Sequence, residues 1–199
     1  MRFDETVNKF LEMYLNLDVA GSLYPKDPAT NKVIKSDSFP IPEEAQKIDQ
    51  INGFDLFFAS GEDWFEFYVS NQNDTEASVR MAGSILDHHI YQEREIDASK
   101  TNKFPVISLY EYLILNKNIK LITDNEHSIG GKSIWIKLMK NPRIKFYHGV
   151  EHKTGSKQPL RFSEFIPFSE KQLLDPLEFW DEHSRYSKLS AVVVLAEKK

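Results

Sequence analysis

Cysteine is absent from the 199-residue chain. That excludes disulfides, thiolate catalysis and every zinc or iron–sulfur site built with Cys. Long apolar runs are missing too. No window approaches the ~18 apolar residues that mark a membrane-spanning helix, and the run Ala191–Ala196 is far too short. The amino terminus, Met1-Arg2-Phe3-Asp4-Glu5-Thr6, carries acids where a signal peptide needs an apolar core. A soluble cytoplasmic protein with no membrane contact is therefore expected. A basic excess is lacking as well: 25 Lys+Arg stand against 30 Asp+Glu, a net charge of -5. A general phosphate-backbone binder is not expected from that balance, so nucleic acid is set aside as a partner.

What is present suits one globular domain. Hydrophobic residues make up 41% and charged residues 28%, and the 13% aromatic share needs a core or a partner to cover it. Residues 3–16 read as an amphipathic helix, with Phe3, Val7, Phe10, Leu11, Tyr14 and Leu15 at helical spacing. Residues 21–46 hold Pro25, Pro28, Pro40 and Pro42 and read as a long irregular connection. From residue 53 the period becomes strand-like. Phe54–Ala59 and Trp64–Val69 flank a turn at Ser60–Asp63, and extended segments follow at Ala77–Ile85 and Ile90–Asp97. The pattern then alternates: helix over Val106–Asn116, strand over Ile119–Asp124, helix over Ser128–Lys140, strand over Arg143–Tyr147. Asp175-Pro176 has the cap-plus-proline form of a helix start, and Ala191–Ala196 reads as a last strand. Strands first and then β–α–β–α–β predict an α+β (mixed α/β) fold: a mixed, mainly antiparallel sheet flanked by helices.

Three short motifs meet their chemistry's requirements poorly. His148-Gly149-Val150-Glu151-His152 matches the inverted zincin signature, but that chemistry needs a helix, and these residues follow a strand pattern and contain a glycine. A strand end and its loop are expected there, with no metal. Asp87-His88-His89 has the look of a phosphoesterase metal triplet but lacks the Asp-x-Asp pairs that such sites need. Gly130-Gly131-Lys132-Ser133 resembles the end of a phosphate loop whose first glycine would fall on Glu126. What survives is a glycine-containing helix start after a strand, a place where backbone N–H groups suit an anion.

The stretch from Ile96 to Tyr147 resembles the acetyl-CoA-binding half of the GCN5-related N-acetyltransferases, above all the divergent members of bacteriophages and prophages. Ile96-Asp97-Ala98 stands at the strand end, Thr101–Val106 at the cofactor loop, and Ile107–Leu113 opens the helix. Asp124, Ser128, Gly131, Trp135 and Leu138 follow the cadence of the phage members through the next strand and helix. The chain also departs from the family. Its loop glycine positions hold Phe104 and Val106, its loop arginine position holds Thr101, and Pro105 removes a backbone donor. Trp135 replaces the tyrosine that acts as general acid and cannot supply that proton. Trp135 is therefore expected to pack as core.

The resemblance implies an acyl-CoA-dependent N-acyltransferase with acetyl-CoA as cofactor, held by Ile96, Ala98, Lys103, Val106, Ile107, Ser108, Asp124 and Ser128. Its substrate would be a small amine or an unidentified protein, and self-association into a homo-oligomer stays open. Strand alternation puts Tyr91, Glu93, Glu95 and Asp97 on one face, which makes Glu93 and Glu95 the candidate catalytic bases; the plain alternative is a solvated edge with both exposed. A second hypothesis keeps the fold but not the catalysis, the protein acting by binding another macromolecule such as a host factor. The working surface is expected in the gap between two parallel strands, each followed by a helix start.

Overall fold

A computed structural model describes residues 38–72, 74–123, 129–152, 161–175 and 194–199. The expected helix over 3–16 and most of the proline-containing connection lie outside the described residues. So do Pro176, Asp124 and Ser128.

Eleven strands are described: β1 (Phe39–Pro40), β2 (Gln46–Ile51), β3 (Phe54–Ser60), β4 (Trp64–Ser70), β5 (Glu76–Ala77), β6 (Val79–Asp87), β7 (Ile90–Ala98), β8 (Lys120–Ile122), β9 (Ile144–His152), β10 (Arg161–Pro167) and β11 (Val194–Lys198). Helix α1 (Val106–Glu111) runs directly into a π-helical turn (Tyr112–Asn116); α2 (Ile129–Leu138) and α3 (Glu170–Leu174) complete the described set. Strands β1 and β5 form a small pair, and the other nine lie in one sheet ordered β10-β9-β11-β8-β7-β6-β4-β3-β2. Every neighbouring pair in that sheet is antiparallel except β7 with β8. The mixed, mainly antiparallel α+β architecture is the one the sequence predicts. No helix among the described residues is long and apolar enough to cross a membrane.

Local chemistry explains several boundaries. Asn52 (φ 52°) and Gly53 (φ 84°) both adopt the left-handed conformation in the two-residue turn that joins β2 to β3. That is the geometry for which Asn-Gly is suited in hairpins. Asn118 (φ 56°) ends the π-helical turn in the same conformation. The π turn itself, closed by Lys117 N–H donating to the Tyr112 carbonyl, lets four consecutive residues, Tyr112 to Leu115, all be buried. Ser169 caps α3 through a capping box with Gln172. Asp175 ends α3, and the helix expected to start at Asp175-Pro176 lies outside the described residues.

The register divides the sheet into two faces. Leu56, Phe65, Phe67, Val69, Val79, Met81, Leu121, Phe146 and Ala196 share the core with Leu109, Leu113, Trp135 and Leu138 of the helices. Trp135 is fully buried and meets Tyr110 edge-on, with centroids 5.7 Å apart. It is core, as expected. The opposite face carries the row Tyr68–Arg80–Asp97 and the row Glu66–Ala82–Glu95.

Candidate functional site

Strands β7 and β8 run in parallel for three residue pairs only: Ile90 with Lys120, Tyr91 with Leu121 and Gln92 with Ile122. There β8 ends, while β7 continues to Ala98. Thr123 carries on the pairing of β8 with β11: its N–H donates to the Val194 carbonyl (2.9 Å), and Val194 N–H donates to Thr123 Oγ1 (3.0 Å). The described β7–β8 pairing ends at Gln92 with Ile122, and among the described residues no strand pairs with the second half of β7 on that edge. Each strand leads to a helix, α1 after β7 and α2 after β8.

At this opening β7 contains a bulge. Glu95 stands opposite Ala82 and Glu93 opposite Gly83, so Arg94 is inserted between them. This corrects the expectation that Glu93 and Glu95 share a face. The extra residue breaks the two-residue alternation and sends the carboxylates to opposite sides of the sheet. Glu93, 6% exposed, lies on the helical side and accepts a hydrogen bond from Trp135 Nε1 (3.2 Å). The buried Tyr110 hydroxyl lies beside that carboxylate. Burial first, and Glu93 second, push the Tyr110 pKa well above its ordinary value, so the phenol stays protonated.

Glu95 lies on the second face and is committed to Arg80, which donates Nη1–H to Glu95 Oε2 at 2.7 Å. Arg80 also pairs with Glu66, whose other oxygen accepts from the Tyr68 hydroxyl. Burial acts to lower the Arg80 pKa, but the bonds to Glu66 and Glu95 more than reverse it, so Arg80 stays charged. The Tyr68 phenol is pushed up to about 12 by burial and by Glu66. Neither glutamate is the solvated edge residue of the plain alternative.

Asp97 is the carboxylate that sequence reasoning placed on this face and left unused. Arg80 stands directly across from it on β6, yet Arg80 is occupied by the two glutamates. Asp97 Oδ2 is buried with no hydrogen-bond partner, and desolvation raises its pKa to about 6. Gln92, fully buried in the last described β7–β8 pair, also has both amide atoms unpaired.

Among the expected cofactor residues, Ile96 and Ala98 lie on the helical face of the unaccompanied half of β7 and pack against the core. Val106, Ile107 and Ser108 form the first turn of α1. Val106 and Ile107 pack on the core, and Ser108 Oγ accepts from Asn52 Nδ2 at 3.2 Å. Lys103 is in the loop before α1 and is exposed. Phe104, in the same loop, is 2% exposed and packs edge-on against Phe54. Asn102 fixes that loop by accepting from Phe104 N–H (2.9 Å) and donating to the Phe104 carbonyl (2.8 Å). The structure thus brings Ile96, Ala98 and the α1 start to one end of the opening, with Glu93 at its base. The bulge and the unpaired Gln92 escaped sequence reasoning. Gly83 is their one visible signal, because a Cβ there would lie 2.0 Å from the Gln92 carbonyl oxygen.

The short motifs take structural roles. His148 and the four residues after it extend β9, so the helix required for zincin chemistry is not there. Asp87 accepts from His88 N–H (2.6 Å) in the turn between β6 and β7. No group of three or more metal-ligating side chains occurs among the described residues. Compared with protein-family models, with curated proteins and with solved structures, the chain matches none.

Proposed function

We propose that the chain is an acyl-CoA-dependent N-acyltransferase-like protein that works on an amine at the opening between β7 and β8. One observation carries this reading: among the described strands β7 and β8 form the one parallel pair, three residue pairs long, and each of them leads to a helix. Such a gap presents backbone groups that side chains fill poorly and an extended acyl carrier fills well. The order of elements supports the reading too, with an antiparallel meander, then β–α–β–α–β, and the late strand β11 entering between β8 and β9. In the reaction the amine nitrogen attacks the thioester carbonyl, the C–S bond breaks, and the amine's proton passes to a base. Glu95 is engaged by Arg80 and Glu93 accepts from Trp135, so Asp97, with an open oxygen and a pKa near 6, is the better-suited base on β7.

A specific observation favours a second reading, in which catalysis is lost and the fold binds another macromolecule. Phe104 is buried where the cofactor loop needs glycine, and Trp135 stands in the place of the acid. Thermal melting with and without acetyl-CoA separates the two, because a ligand that binds the native state raises its melting temperature. A rise accompanied by release of free thiol on adding amines is the outcome expected of an acyltransferase. No rise at millimolar acetyl-CoA would defeat that reading and leave the second.

A further inference from the structure

The turn between α2 and β9 and the end of β11 bring five cations to one corner of the sheet. Lys137 is in the last turn of α2, Lys140 and Arg143 follow it, Lys198 ends β11 and Lys199 comes next. All five are exposed, and none forms an ion pair with another described residue. The backbone holds them close. Lys140 N–H donates to the Lys137 carbonyl (3.2 Å), Arg143 N–H to Asn141 Oδ1 (3.0 Å) and Lys199 N–H to the Arg143 carbonyl (3.0 Å), while Lys198 stands opposite Ile144. Two described carboxylates reach this region, and both are engaged. Glu111 accepts from Asn141 Nδ2 (2.7 Å), and Glu197 accepts from the Tyr147 hydroxyl (2.7 Å) and pairs with Lys120 (3.1 Å). A helix C-terminus favours nearby cations, which accounts for Lys137 and Lys140. It does not account for Lys199 opposite Arg143, because like charges facing each other across two strands weaken a sheet. The chain as a whole carries -5, so this concentration of positive charge runs against its overall balance.

We propose that this corner docks an acidic segment of a partner protein. Three features select that partner among anions. The described large apolar side chains that are exposed, Ile48, Trp64, Ile166 and Leu174, lie on β2, β4, β10 and α3. Among the described residues the corner thus has no exposed ring for bases to stack on and no wedge for a bilayer. The excess of acid elsewhere on the chain repels a long polyanion, whereas a short acidic segment sits on the corner alone. The turn is held by its own hydrogen bonds, so its cations are presented with little left to order on binding. Arg143 offers a planar fork to one carboxylate, and the lysines offer point charges to others. The ten residues of α2 put about 15 Å between its start, which follows β8, and this corner. The inference therefore does not rest on the acyltransferase reading.

Titration of the full chain with a short oligoglutamate peptide, at low and at physiological salt, is the test. The wild type should bind, more weakly as salt rises. Arg143→Glu combined with Lys198→Glu should lower affinity about tenfold, the effect of losing two exposed ion pairs and meeting repulsion instead. Its melting temperature should be unchanged or raised. Arg143→Gln with Lys198→Gln should lose less, and decides by the same criteria should the reversal variant unfold. Lys171→Glu, the same kind of change on α3, should lose nothing. No binding by the wild type at millimolar peptide overturns the proposal, as does an equal loss in Lys171→Glu. Tighter binding of an oligothymidylate of equal charge, or of phosphatidylserine vesicles, through the same two residues overturns it in favour of a nucleic acid or a membrane. Self-association in sedimentation that the double reversal abolishes would make the occupant a second copy of the chain, and would overturn it too.

Discussion

A methyl group at position 83 would lie 2.0 Å from the backbone oxygen of Gln92 and 2.8 Å from the Phe65 ring. Backbone on a neighbouring strand yields little, so Gly83→Ala should cost about 1–3 kcal/mol or more by overpacking. Gly53→Ala makes a control of a different kind. Nothing lies within 4 Å of its new Cβ, and the cost there comes only from the positive φ of 84°, about 1–2 kcal/mol. Urea melts of the two variants should show Gly83→Ala the more damaging, and the reverse order would mean that the bulge at Arg94 is misplaced. Asp97 gives a prediction in pH. Its folded pKa of about 6 lies above the ordinary 3.8, so between those values the native state holds more protons than the unfolded one. Stability therefore falls as pH rises through that window. Asp97→Asn should flatten this slope and stabilise the protein above pH ~6 by about 1–2 kcal/mol, solvent screening of a half-buried carboxyl allowed for. Urea denaturation across pH is the measurement, and an unchanged slope would refute the assignment.

Among the elements, α2 is tied to β7 by the hydrogen bond from Trp135 Nε1 to Glu93. Trp135→Phe keeps much of the ring and removes that donor, so it should cost about 1–3 kcal/mol; Trp135→Ala should cost about 3–5 kcal/mol. A melting temperature unmoved by Trp135→Phe would show the bond to be idle. Elements with a strong apolar period were legible in the sequence: β3, β4, β6, β7, α1 and α2 lie close to their expected ranges. Strand β2 was not, because the first five of its six residues are exposed and nothing alternates. Only the Asn52-Gly53 turn behind it hinted at a hairpin. The π turn after α1 was likewise hidden, since a run such as Tyr112-Leu113-Ile114-Leu115 fits a buried helix of either pitch. The candidate site was half legible. The parallel pairing of β7 with β8 followed from the order of strands and helices. The pairing of Glu93 and Glu95 did not, because a bulge depends on what the partner strand offers, here Gly83, and not on the period of β7 itself.

At the scale of the whole molecule, the sheet joins an antiparallel block, β2-β3-β4-β6-β7, to a second one, β8-β11-β9-β10. The strand contact between them is the three-residue parallel pair. So brief a ladder contributes little by itself, and the shared apolar core must hold the blocks together. That core is continuous: Met81 and Phe67 from the first block and Leu121, Ile144 and Phe146 from the second belong to one buried cluster with Leu113, Trp135 and Leu138. The blocks should therefore unfold together. Leu121, fully buried on the short strand β8, is the position to test. Leu121→Ala should cost about 2–5 kcal/mol, the range for a buried leucine whose cavity fills only in part. Tryptophan fluorescence includes Trp64 on β4 of the first block and Trp135 on α2 in the shared core, while far-ultraviolet circular dichroism reports the whole sheet. In the wild type the two signals should give one midpoint, and in Leu121→Ala they should move down together. Separate midpoints in the variant would mean that the second block melts on its own, and that the opening between β7 and β8 is a boundary between folding units.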